Sequence, residues 1–503
     1  MPHHIIMKNE INRLARQAGI YSISNIAIKA AGLLLAPFYL NTELLPQESF
    51  GHLILLEATA QIFILIGGFG LRSGLMKYMT DPAYENKSDT LSFTSFISVL
   101  ITAGILALIF WISASHIAAI LLEDSGLGTV IRLITLYILF KTIASIPLIL
   151  IRIKERAGIF TLAIIGELLA LIGGVYYFLV VQEMGLEGVL WAFVLSSFLS
   201  ALVLSAALLI SVRWNFEFSF IPKLIIFGLP IVFAGLASQV LNFGDRYILQ
   251  WLTDAEVVAV YGWGARIGGV INMLFVQSFH FAFIVIGLKT ISAEPENVHL
   301  YRRTFRHFVI WTGWAVLALT LLTYDITGLI TDETNYLLAE PLVFFISLGF
   351  MSYGIYYIMM NILYAKEKSV LIALSVTGTA IFNIVLNILL IPYLGALGAA
   401  LATFISYLGL ALLTAYNAKR IIDVRYPWRI FTFITILLFV FYGVSYISLG
   451  WGIVERLILR GGLIILYPVV VVLIGAYTIR EIKDGYALVK KQVLGTKDDV
   501  IEN

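Results

Sequence analysis

Lysine and arginine occupy every second polar connection of this chain, and that alternation limits what the chain can fold into. Lys8, Arg13 and Arg16 precede the first long apolar stretch, whereas the next connection, Asn41 to Ser49, has neither residue. Arg72, Lys77 and Lys87 come next, and the segment around Glu123 has none. The rhythm continues through Arg152, Lys154 and Arg156, then Arg213 and Lys223, then Lys289, Arg302, Arg303 and Arg306. Lys366 and Lys368, the group from Lys419 to Arg429, and the tail from Arg480 to Lys497 complete it. In all, 26 of the 33 basic residues fall on one side. Arg456 and Arg460 fall on the other, and Lys29, Arg132, Lys141, Arg246 and Arg266 lie within apolar stretches. Positive charge is retained on the cytoplasmic side during membrane insertion. The alternation therefore predicts an all-α polytopic membrane protein with both termini in the cytoplasm.

Composition agrees. Hydrophobic residues make up 60% and charged residues 13%, against roughly 45–50% and about 25% for a soluble domain. The basic residues are spread over many connections, so the net charge of +2 gives no sign of nucleic acid. Cysteine is absent, which excludes disulfides, thiolate metal sites and a cysteine nucleophile. The polar start reads as lacking a cleavable signal peptide. His3 and His4 belong either to a natural start or to an added tag, and Met7 is an alternative initiator.

Fourteen stretches reach the roughly 20 residues needed to span a bilayer: 14–40, 50–76, 90–113, 128–151, 158–182, 188–212, 224–250, 256–286, 305–328, 338–364, 369–392, 396–418, 428–449 and 456–479. All should be helices, because lipid offers no partner to exposed backbone groups. An internal repeat at an offset of about 211 residues pairs Phe50-Gly51 with Tyr261-Gly262 and Lys154-Glu155 with Lys366-Glu367. It also pairs Met184-Gly-Leu-Glu-Gly188 with Leu394-Gly-Ala-Leu-Gly398. Stretches 1–6 thus correspond to 7–12 in the same orientation, with 13 and 14 added. Such parallel repeats belong to transporters that rock two halves around a midplane site. The expected division is a first six-helix lobe over 1–216, a second over 217–422, an added pair over 423–480 and a cytoplasmic tail over 481–503.

Ionisable residues deep in a span are costly, by about 2.5–3.5 kcal/mol on insertion scales, and so are functional candidates. Helical spacing puts Ser22, Asn25 and Lys29 on one face of the first stretch, and Glu57 and Gln61 on one face of the second. It puts Gln239, Asn242 and Arg246 on one face of the seventh, and Arg266, Met273 and Gln277 on one face of the eighth. These stripes either line a hydrated central cavity or form buried ion pairs, such as Lys29 with Glu57. Lys141 and Glu167 form a pair within the first half or take part in the cavity. Asp245 points to another face and is a candidate partner for Arg266. Arg132 and Asp325 are expected to reach the interface. Gly264 and Gly268 read as a close helix contact, Asn383 and Asn387 as interhelical bonding, and His280 as a satisfied or interfacial histidine. There is no G-x-x-x-x-G-K-[ST] and no H-E-x-x-H; no cofactor and no metal site is expected, and an enzyme is the weaker class.

The chain resembles the polysaccharide biosynthesis (oligosaccharide flippase) branch of the multidrug/oligosaccharidyl-lipid/polysaccharide exporter superfamily. The resemblance rests on the 6+6+2 arrangement and on Asn12-Arg-Leu-Ala-Arg-Gln-Ala-Gly-Ile-Tyr-Ser-Ile-Ser-Asn25. Glu48-Ser-Phe-Gly51, Gly67-Gly-Phe-Gly-Leu-Arg-Ser-Gly74, Gly228-Leu-Pro230 and Asp245-Arg-Tyr-Ile-Leu249 add to it. It implies two lobes in a V around a central cavity, alternating access, and a bacterial inner-membrane location. It also implies that an undecaprenyl-pyrophosphate-linked oligosaccharide, an O-antigen or exopolysaccharide unit, moves to the outer leaflet. Membrane lipid, a polysaccharide polymerase and chain-length machinery are the implied partners. A pyrophosphate suits arginine, which binds it bidentately, and lysine, which acts as a point charge. Lys29, Arg246, Arg266 and Lys141 are therefore the expected substrate-binding residues, with Asn25, Gln61, Gln239, Asn242 and Gln277 as polar lining. Glu57, Glu167 and Asp245 are candidates for ion coupling or ion pairing. A lipid II flippase, a multidrug or cation antiporter, and a membrane sugar polymerase or ligase are the alternatives.

Overall fold

The structure, a computed structural model, describes residues 31–154, 156–293 and 298–477. Asn25 and Lys29, most of the first stretch and the tail lie outside the described residues. Among the described residues, thirteen helices are long and apolar enough to cross a membrane, and they correspond to stretches two to fourteen. The first stretch ends in a short helix, α1 (Ala36–Tyr39). The first half continues through α2 (Gln47–Gly67), α3 (Leu71–Met79), α4 (Ser88–Ile112), α5 (Gly128–Ile153), α6 (Ala157–Val175) and α7 (Gly185–Ser211). The second half comprises α8 (Phe220–Leu252), α9 (Ala255–Ile271), α10 (Ser278–Ala293), α11 (His299–Ile330), α12 (Ala339–Ala365), α13 (Ser369–Leu394) and α14 (Ala396–Lys419). The added pair is α15 (Trp428–Ser445) and α16 (Ile453–Leu473). Large apolar side chains such as Ile210, Leu329 and Leu473 point outward, as lipid-facing residues do.

Two stretches read as continuous, equivalent in the repeat, are interrupted in mid-span, and the fifth ends in a π-helical turn, Tyr176–Val181. The second breaks at Gly68–Gly70, where Phe69 (φ 47°) and Gly70 (φ 75°) adopt left-handed backbone and separate α2 from α3. The cause is tertiary. A Cβ on Gly70 would fall 2.3 Å from the carbonyl carbon of Gly228, and one on Gly228 would fall 2.0 Å from the oxygen of Gly70. The eighth stretch contains a π-helical turn, Asn272–Gln277, between α9 and α10. That turn changes the register, so an α-helical period does not carry Arg266 and Gln277 onto one face.

The two halves meet at both ends of the membrane. At the end without basic connections, a Cβ on Gly51 would lie 1.9 Å from the oxygen of Ala255, and one on Gly262 would lie 2.5 Å from Ile54. A single apolar core there draws on both halves, with Leu53, Ile54, Ile134 and Val189 from the first and Val258, Trp263 and Val343 from the second. At the basic end, α3 packs on the start of α8 through Gly70–Gly228 and Gly74–Leu224. Within the second half, Gly264 and Gly268 let α9 approach Leu342 and Ile346 of α12, the close contact expected from their spacing. Asn383 bonds Ser406 at 3.2 Å and accepts from Asn387 at 3.0 Å, joining α13 to α14.

The absence of cysteine makes the topology directly testable. Glu43→Cys, Glu123→Cys and Asp332→Cys, all at exposed positions, are expected to react with an impermeant thiol reagent applied to intact cells. Glu85→Cys and Lys368→Cys are expected to react only after permeabilisation. Inverted labelling of the two sets overturns the orientation.

Candidate functional site

The middle of the bundle holds a charged junction between the halves. Arg266 lies eleven residues into α9, about 16 Å from its start at 1.5 Å per residue. Its Nη2 donates to both carboxylate oxygens of Glu57 on α2, at 2.8 and 2.9 Å. Its Nη1 donates to the Gly32 carbonyl at 3.2 Å. The rings of Tyr39 and Phe50 each lie 5.2 Å from the guanidinium carbon, a cation–π arrangement. The pair is unevenly covered, with Arg266 13% exposed and Glu57 34% exposed. The carboxylate is therefore the half open to exchange. Glu57 pairs with Arg266 in this structure; the alternative partner, Lys29, lies outside the described residues.

A second junction lies wholly within the second half. Asp245 is buried on α8 and pairs not with Arg266 but with its neighbour Arg246, at 3.1 Å. Its other oxygen accepts from the Tyr261 hydroxyl and from Thr403 at 3.4 Å. Geometry explains the difference, because Asp245 points between α9 and α14 rather than toward α2. Arg246 also donates to the Asn242 carbonyl at 2.8 Å and lies over the ring of Phe243. Asn242 accepts from Tyr407 of α14 at 2.7 Å. Gln239 donates to the Gln61 carbonyl at 3.4 Å, so α8 meets α2 there. Gln277 is half-buried and closes the π turn.

Lys141 of α5 pairs with Glu167 of α6 inside the first half, with the Tyr137 ring beside it. Arg132 lies over Trp111. Each described deep carboxylate thus has a cation, and the site presents alternating charge rather than an acidic surface.

A third cluster was missed by sequence reasoning. Arg456 and Arg460 read as lying at the membrane surface on the side poor in basic residues, and Asp325 as an interfacial residue. The structure buries them together. Arg456 pairs with Asp325 at 2.7 Å. Arg460 is fully buried and pairs with Glu340 at 3.2 Å, lies 3.8 Å from Asp325, and donates to the Leu321 carbonyl at 2.7 Å. These bonds fasten α16 to α11 and α12. The available signal was two arginines one helical turn apart, near the same membrane face as two acids on preceding stretches.

The family model described as polysaccharide biosynthesis protein matches residues 14–284. No curated protein sequence is matched. Among solved structures, a lipid II flippase, MurJ, in an inward closed conformation superposes with a TM-score of 0.72 at 15% identity, over 90% of this chain and 98% of that one. An inward-facing multidrug resistance MATE family transporter gives 0.67 at 13% identity, over 79% and 97%. A transporter of the same superfamily from Pyrococcus furiosus, described as having a binding pocket of reverse polarity, gives 0.58 at 14%, over 80% and 95%. At such identities the likeness is one of fold.

Proposed function

Because the chain belongs to the polysaccharide biosynthesis protein family, we propose that it is a flippase of the multidrug/oligosaccharidyl-lipid/polysaccharide exporter superfamily, with an undecaprenyl-pyrophosphate-linked oligosaccharide as its cargo. It takes the cargo at the cytoplasmic leaflet of a bacterial plasma membrane and releases it at the outer leaflet. The supporting observation is Arg266, held mid-span at the seam between the halves by a carboxylate that is itself one-third exposed. A pyrophosphate oxygen can take the place of Glu57 on the guanidinium, because arginine binds both groups through the same donors. Arg246, on the same half and over an aromatic ring, is a second cation for the same charge. Lys29 is a third, and Lys141, already paired, is the weakest of the four. The work is translocation without covalent chemistry. Lobes over 1–216 and 217–422, with both termini cytoplasmic, fit this reading, and a polymerase and chain-length machinery would receive the product.

An organic-cation antiporter calls for unneutralised carboxylates. Asp245, Glu57 and Glu167 each have a basic partner, which favours an anionic cargo. Ion coupling, where present, acts through Glu57, since neutralising it releases Arg266.

Proteoliposomes loaded with fluorescent undecaprenyl-pyrophosphate-linked trisaccharide test the proposal. The protein is expected to make the lipid accessible to an external glycan-binding protein faster than it does lipid II, and to leave an organic cation unmoved. Transport of lipid II or of the cation without the trisaccharide lipid overturns the reading.

A further inference from the structure

α12 is almost wholly buried, yet between Ile346 and Ile362 four side chains stay half-open: Phe350, Tyr353, Tyr357 and Met360. Their spacing of three, four and three puts them on one face of the helix. Neighbouring helices complete that face. The His280 imidazole of α10 stacks on Tyr357 with centroids 3.9 Å apart and planes inclined by 23°. The Tyr407 ring of α14 lies 4.7 Å from Tyr353 and 5.8 Å from Phe350. Tyr357 donates to the Tyr353 hydroxyl at 3.0 Å.

The arrangement is held in place from below. One turn beyond Tyr357, the buried Asn361 donates to the carbonyls of Phe283 and Ile284, at 3.2 and 3.5 Å. Those residues lie one turn beyond His280 on α10, so the clamp fixes the stack. The π turn Asn272–Gln277 immediately before α10 sets the azimuth of His280, and π turns recur at functional sites.

The chemistry of this face is specific. It offers flat rings, hydroxyls and an imidazole, with no carboxylate or fixed cation among them. Core packing alone would be served better by phenylalanine and leucine, since each hydroxyl buried in a bilayer needs a partner. A pyranose matches the face: its C–H faces lie against aromatic rings, and its equatorial hydroxyls bond to phenol, imidazole and amide groups. The face connects to the cationic region through Tyr407, which bonds Asn242, whose carbonyl receives Arg246. From Phe350 to Met360 it runs about 15 Å along the helix, long enough for more than one sugar ring.

We infer that Phe350, Tyr353, Tyr357 and His280 form a stacking platform for the uncharged sugar rings of the cargo, while Arg246 and Arg266 hold its pyrophosphate. The inference rests on the flippase reading for the identity of the lipid. The platform also explains why an uncharged glycan can sit at membrane depth.

Two ligands separate the two ideas: undecaprenyl pyrophosphate, and the same lipid bearing a trisaccharide. Both are titrated against the purified full chain. Tyr357→Leu is expected to weaken the trisaccharide lipid roughly three- to tenfold, the scale of one aromatic contact, and to leave the bare lipid unchanged. Tyr357→Phe keeps the ring but loses one hydroxyl, and is expected to weaken the trisaccharide lipid by about twofold, the low end for a single hydrogen bond, and to leave the bare lipid unchanged. His280→Leu, scored in the same way, covers the case in which Tyr357→Leu fails to fold. Equal losses on both lipids, or no loss on either, overturn the platform. Failure of the wild-type chain to bind either lipid overturns the flippase reading instead. The free trisaccharide then decides the platform, by binding that is lost in Tyr357→Leu or by no binding at all.

Discussion

Arg266→Ala is expected to lower transport of the lipid-linked oligosaccharide at least about 30-fold, the effect of losing about 2 kcal/mol or more from a charge-assisted contact, while the protein stays folded. The asymmetry of its ion pair makes the two outcomes separable. Removing the arginine leaves Glu57, already one-third exposed, with access to water in its place. The penalty for an uncompensated charge is therefore small. Arg266→Lys keeps the charge but loses the planar fork, so partial transport is expected. In Glu57→Gln the guanidinium keeps its bond to Gly32 and its two aromatic neighbours. It is also freed to hold the cargo, and cargo is expected to bind more tightly and leave more slowly. The decisive variant is Arg266→Met combined with Glu57→Met, which removes the whole pair. Restored transport in that double variant means the pair only stabilises the bundle. A well-folded double variant with transport still absent supports a role in holding cargo. The measurements are proteoliposome transport and thermal melting in detergent, made on the same preparations.

Arg460→Ala is expected to act in the opposite sense, collapsing stability. The side chain is fully buried, and Glu340 and Asp325 beside it are each only 4% exposed. Removing one partner of such a cluster costs about 3–5 kcal/mol. An ordinary interhelical hydrogen bond in a membrane averages only about 0.6 kcal/mol, so a loss of the larger size can be assigned to stranded charge. Arg460→Leu with Glu340→Leu is expected to recover most of the melting temperature, because Arg456 still neutralises Asp325 at 2.7 Å. A single Arg460→Ala variant that melts with the wild type would show that the cluster contributes nothing to docking the last two helices.

The spanning helices were readable in the alternation of long apolar stretches with short polar connections, because lipid admits only backbone that satisfies its own hydrogen bonds, and stretches two to fourteen each hold such a helix among the described residues. The break at Gly68–Gly70 was not readable. Gly-Gly-Phe-Gly within an apolar run is compatible with a continuous span, and only the approach of Gly228 forces the interruption. The π turn at Asn272–Gln277 was hidden for a related reason, since no residue type signals it and it disrupts the face assigned to Arg266 and Gln277. For Glu57, Asp245 and Arg266, depth was legible and pairing was not. In the sequence Arg266 and Lys29 both offer a cation to Glu57, and Asp245 is adjacent to one arginine and 21 residues from another; spacing along a helix cannot choose between helices. Arg460 was misplaced because a basic residue near the start of a stretch looks like a boundary marker, and only its buried acids on α11 and α12 reveal otherwise. His280 was read as a satisfied or interfacial histidine, and the Tyr357 ring stacked on it has no sign in the residues around it.

The glycine contacts between the halves have a genetic consequence. Any amino-acid replacement reachable from a glycine codon by a single base change adds at least a β-carbon. At Gly51, Gly70 and Gly228 that carbon would fall within 2.3 Å of backbone on the opposing half, where no rotamer can relieve it. Gly51 lies at one membrane face, and Gly70 with Gly228 at the other. Drift in the gene is thus narrowest at three codons that encode no chemistry at all, and a lineage carrying any of these changes would have to repair it by moving the partner helix.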